Sequence, residues 1–182
     1  MTRKPALGVL CGCIAVVLVM TGCLGGGGKG HPPPPATTTQ KRVTAVGPEF
    51  LSPAGLADAA AHLKQTIYWV GPLKGDSYEF TRTSNGDAYV RYLPKGVNVG
   101  TKRTGYLIVA TYPFSGAYAG LKKAAGSKGV SGPGGRLVYV RPNDPKSVLV
   151  AFPGVEAQIE VYDPRPARSL QVAKSVQLKP VG

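Results

Sequence analysis

A chain of 182 residues, 43% hydrophobic and 17% charged, is long enough for one domain with a real core and too short for several. Lys and Arg number 22 against 9 Asp and Glu, a formal charge of +13 that favours anionic partners. No basic run exceeds a pair, as at Lys41-Arg42, Lys102-Arg103 and Lys122-Lys123, so the basic stripe of a nucleic-acid binder is missing.

The chain opens with Arg3 and Lys4, then an uncharged apolar run from Ala6 to Met20 that ends in Thr21-Gly22-Cys23 and a glycine tract. At about 15 residues the run has the length of a secretory apolar region and falls short of the ~20 that span a bilayer. Cys11 and Cys13 lie inside it, where a thiolate is not cheaply solvated, so their spacing is no metal or redox motif. Basic head, short apolar core, small residues and cysteine, in that order, resemble the signal peptide and lipobox of bacterial lipoproteins. The resemblance implies cleavage before Cys23, acylation of its sulfur and a place on the extracytoplasmic face of the cell membrane. An uncleaved signal-anchor is the alternative, and the basic residues would then leave the rest of the chain on the same side. Removing residues 1–22 takes away two of the positive charges, and +13 becomes +11. It also leaves Cys23 as the one cysteine, so no internal disulfide can form.

Residues 23–46 have the composition of a tether. Gly25 to Gly28 is flexible, Pro32 to Pro35 favours polyproline II, and nothing apolar could build a core. Fully extended it would reach about 70 Å. Residues 47–182 form the domain.

Ser52 and Pro53 start a helix as N-cap and first helical residue, and Leu56, Ala59, Ala60, Leu63 and Ile67 continue it at helical spacing. His62 lies off that stripe, as a surface residue would. The period then changes to two. Residues 66–70, 77–83, 88–93 and 106–112 are rich in Tyr, Val, Ile and Thr and predict strands, with Asn85-Gly86 as a hairpin signal. Ser115 to Ala125 predicts a second helix stopped by Gly126. Strands follow at 137–140, 148–152 and 157–162, then a helix from Arg165 to Lys174 behind Asp163-Pro164, then an edge strand through Val176, Leu178 and Pro180. The pattern predicts an α+β domain: a mainly antiparallel sheet with about three helices packed on one face.

Chemistry is sparse. With His62 the one histidine of the domain and no Gly-x-Ser-x-Gly elbow, nucleophilic catalysis has little to work with, and catalytic residues are not assigned. No spacing suits a metal, and no cofactor is implied. Glu79, Glu156 and Glu160 could form an acid pair only because any two acids can meet in space. Gly129 to Gly135 lacks the ending of a phosphate-binding loop and runs into a strand, so it predicts a plain loop. Tyr68, Trp69, Tyr89, Arg91, Tyr92, Tyr106, Tyr112 and Tyr118 crowd one part of the chain. Such residues bind sugars and anions, and they also fill small cores. Trp69, Arg91 and Tyr92 are the candidate ligand-binding residues.

The segments Ile67-Tyr68-Trp69-Val70-Gly71, Tyr89-Val90-Arg91-Tyr92-Leu93-Pro94 and Val109-Ala110-Thr111-Tyr112-Pro113 resemble those of lipoproteins from high-GC Gram-positive bacteria. That likeness implies location and no activity. The expectation is a non-enzymatic envelope lipoprotein, bound to the membrane through its lipid and to anionic envelope polymers or an envelope protein through its domain. The alternative is a hydrolase of wall or lipid polymers, which a carboxylate pair in a cleft would mark.

Overall fold

A computed structural model describes residues 44–182; the expected signal segment, Cys23 and nearly all of the expected tether lie outside the described residues. Ten strands and three helices follow one another from β1 (Val46–Leu51) to β10 (Lys179–Pro180). Eight strands form one antiparallel sheet in the order β1-β3-β4-β5-β9-β8-β7-β6. The middle of it is β3 (Asp76–Arg82), β4 (Ala88–Pro94), β5 (Leu107–Pro113) and β9 (Ala157–Tyr162). Beyond β9 lie β8 (Ser147–Ala151), β7 (Leu137–Val140) and the two-residue β6 (Val130–Ser131). A separate ribbon pairs β2 (Tyr68–Trp69) with β10. No helix among the described residues is long and apolar enough to cross a membrane.

Local chemistry explains the boundaries. The helix α1 (Pro53–Leu63) begins where Ser52 Oγ accepts the Gly55 N–H at 3.0 Å. It ends at Lys64, which adopts a left-handed conformation (φ 50°). Ile67 therefore leaves the helical stripe and enters the extended approach to β2, where it is buried. Gly86, at φ 90°, closes the β3–β4 turn by donating to the Thr83 carbonyl at 3.0 Å. The edge strand β1 has no counterpart among the predicted strands. Pro48 and a register shift between Val46 and Glu49 interrupt it, features that also blunt an edge against pairing with another chain.

The α+β class holds, and the helices divide between the two faces of the sheet. On one face Phe80, Val90, Val109, Val161 and Val148 form a buried row under α1, α3 (Pro166–Lys174) and the β2–β10 ribbon. On the other, α2 (Ala117–Ala125) lays Ala117, Leu121 and Ala125 on Leu137 and Ala151. The expectation of helices on one face fails at β8, which is apolar on both sides. Val148 and Val150 point one way, Leu149 and Ala151 the other, and each side needs cover. The second face is covered by α2 only over β7 to β9. Over β3 to β5 its cover is the connection from Lys95 to Tyr106, which has no regular structure.

Candidate functional site

The β3–β4 register sets Glu79 opposite Arg91 on the second face. Their side chains meet at 2.6 Å, with Glu79 2% exposed and Arg91 17%. A carboxylate so deeply placed needs every lone pair occupied. Its other oxygen accepts the Gly100 N–H at 2.6 Å. Arg91 completes the arrangement by donating to the Thr101 carbonyl at 3.2 Å and the Arg103 carbonyl at 3.1 Å. The pair thus staples the 95–106 connection onto the sheet, and Arg91 also stacks over the Tyr106 ring at 5.7 Å.

Under that connection opens a cleft of about 450 Å³. Ile108 supplies an apolar floor, Tyr106 and Tyr162 the walls, and Lys102 and Arg103 stand exposed at its rim. The size and the few convergent polar groups are those of a small-ligand site. No family model, curated protein or solved structure matches this chain. The assignment of the cleft therefore stands on its own chemistry. Of the nine acidic residues in the chain, six are bound to partners within the domain: Glu79, Asp87, Asp144, Glu156, Glu160 and Asp163. Among the described residues no lysine ammonium is paired with an acid. Burial takes two acids, Glu79 and Asp163, and two cations, Arg82 and Arg136, away from water, so the excess of positive charge on the described surface is the one the composition gives.

Further along the same face Glu160 gathers a hydrogen-bonded cluster. One oxygen accepts from the Ser147 hydroxyl and from Arg141 at 3.2 Å; the other accepts from the Tyr112 hydroxyl at 2.8 Å. Burial, and then the Glu160 carboxylate, push the Tyr112 phenol well above its ordinary range. Burial raises Tyr89 beside it, with Asp87 adding to the effect. Both phenols therefore stay protonated near neutral pH, and Tyr112 serves as a donor to Glu160. Glu79 and Glu160 stand three strands apart, about 14 Å. That exceeds the roughly 5–9.5 Å between the carboxylates of glycoside hydrolases. Glu156 is elsewhere, accepting the Gly116 N–H at 2.8 Å at the start of α2.

The three candidate residues do not converge. Trp69 and Tyr92 belong to the core on the face of α1 and α3, and Arg91 points to the opposite one. The Tyr92 hydroxyl accepts the Val70 N–H at 2.9 Å and donates to the Gly71 carbonyl, which pins β2 to the sheet. Burial raises its pKa. Trp69 packs edge-on against Tyr78, with centroids 5.8 Å apart. His62 is exposed. Absent from the candidate set are Lys102, Arg103, Tyr106 and Tyr162, which line the cleft with Arg91. Their traces in the sequence are the basic pair Lys102-Arg103 and the place of Tyr106 in the tyrosine-rich cluster; nothing there marks Tyr162.

Proposed function

We propose that this chain is a non-enzymatic cell-envelope lipoprotein. In this reading its domain, tethered through Cys23 on the extracytoplasmic side, binds an anionic envelope component in the cleft above Ile108. The observation that carries the binding role is the cleft itself: cations at the rim, tyrosine walls and an apolar floor, on a connection fixed by a buried ion pair. An anionic group attached to a flat or apolar body satisfies all three. The address rests on the lipobox-like order of residues ending at Cys23.

Two results test this reading. Cys23→Ala should move the chain from the membrane fraction to the soluble fraction and stop incorporation of labelled fatty acid. Persistence in membranes at the mature mass would remove the lipid anchor from the reading. The charge reversal K102E/R103E should weaken pyrophosphate binding by about tenfold or more in isothermal titration, with the loss shrinking as salt is raised. Unchanged affinity would show that the cleft is not where anions go.

A further inference from the structure

The cleft has a neighbour. On the far side of Gly105 and Tyr106, which line both, lies a second hollow of about 470 Å³ with Lys74, Arg165 and Arg168 on its walls. Its arginines are set in place from beneath. Asp163, fully buried, accepts from the Arg165 backbone N–H at 3.0 Å and from Arg165 Nε at 3.1 Å. Its other oxygen accepts from Arg168 Nη1 at 2.9 Å. One buried carboxylate therefore holds two guanidinium groups side by side. The terminal nitrogens of Arg165 have no partner among the described residues, and its side chain is 66% exposed. Preformed guanidinium forks suit the oxygens of a phosphate better than mobile ammonium groups do.

Taken together, the two hollows carry six cations: Arg91, Lys102 and Arg103 on one side of Tyr106, Lys74, Arg165 and Arg168 on the other. The acids close to them are three. Glu79 and Asp163 are buried and already paired, and Asp76 lines the second hollow. A single small anion can use one side only. Filling both calls for a ligand that repeats its negative charge along a chain and passes over the tyrosine.

Resting on the reading of the first cleft, we infer that the Lys74–Arg165–Arg168 hollow is a second anion subsite, and that the ligand is a linear polymer with repeated phosphate groups. The two subsites are joined within one molecule, so the second engagement is effectively intramolecular and strengthens binding without deepening either hollow.

The test uses the full chain in neutral detergent micelles, with pyrophosphate and a linear polyphosphate of about ten units as probes. Polyphosphate should bind at least about tenfold more tightly than pyrophosphate. K74E/R165Q should remove that advantage while leaving the pyrophosphate binding that depends on Lys102 and Arg103 within about twofold, and should flatten the salt dependence of polyphosphate binding. K74E alone, in an exposed turn away from Asp163, should give part of the effect and guards against a folding defect in the double variant. If polyphosphate gains nothing over pyrophosphate, or K74E/R165Q leaves it unchanged, the second subsite is wrong and the first cleft stands. If K102E/R103E affects neither probe, the first cleft falls, and this inference with it. Vesicles rich in anionic phospholipid, bound in preference to polyphosphate, would make the surface a membrane contact and overturn the polymer.

Discussion

Glu79→Ala is expected to lower the stability of the domain by about 3–5 kcal/mol and to release the 95–106 connection. The large value follows from what remains. Arg91 would keep its place on the sheet, 17% exposed, with its positive charge uncompensated, and the Gly100 N–H would lose its acceptor. A pair replaced on both sides behaves differently. E79M/R91M leaves no orphaned charge, so it should be less destabilised than the sum of the two single variants. Urea denaturation of the wild type, E79M, R91M and E79M/R91M measures this directly. Limited trypsin digestion reports the loop separately, since Lys102 and Arg103 lie on it. Cleavage after those residues should quicken in E79A under conditions where the rest of the domain stays intact. A loss below about 1 kcal/mol with unaltered cleavage would show that the connection is held by other contacts. Anion binding should fall with loop release even though Glu79 itself repels anions, because it acts by positioning Lys102 and Arg103.

The strands were legible where periodicity and turn chemistry agreed. β3 and β4 carry Tyr, Phe and Val at alternate positions around Asn85-Gly86, and their register follows from that turn. The face taken by α2 was not legible, because a helical stripe of Ala and Leu does not say which side of a sheet it meets. β1 was hidden because Gly47 and Pro48 interrupt any alternation at the point where the domain opens, although they lie inside an edge strand. The site was legible only in fragments. Arg91 stood out as a cation among tyrosines, but its meaning depends on Glu79 lying across the ladder from it. Tyr162 joins Tyr106 only through the β5–β9 pairing. Alternation along a strand separates Arg91 from Tyr92 as firmly as it unites Tyr92 with Val90, so neighbours in sequence made a poor guide to neighbours in a site.

The glycine-rich stretch before β7 leads to the second large effect: Arg136→Met should cost about 3 kcal/mol. What reads as a plain loop is a wrap around a buried cation. Arg136 is 3% exposed and has no acidic partner among the described residues. Its Nε donates to the Pro133 carbonyl at 2.7 Å, and Nη1 donates to the carbonyls of Ala173 at 3.3 Å and Ser175 at 3.0 Å. Phe152 lies beneath the guanidinium, 4.7 Å from ring centroid to charge. Carbonyls at the C-terminal end of α3 and an aromatic face thus do the work of a carboxylate. A Cβ at Gly132 would lie 3.0 Å from Arg136 Cγ, so a larger residue there presses on the arginine stem. Methionine keeps the stem and its packing but leaves the three carbonyls without their donor. Lysine restores the charge without the fork and should recover less than half of the loss. Urea midpoints give the magnitudes, and amide exchange should accelerate near residues 132–136 and 173–178 before the rest of the sheet. If Met is as stable as Arg, the burial cost of the cation matches its hydrogen bonds, and the loop is held by the β6–β7 pairing and by packing against Phe152 and Pro153.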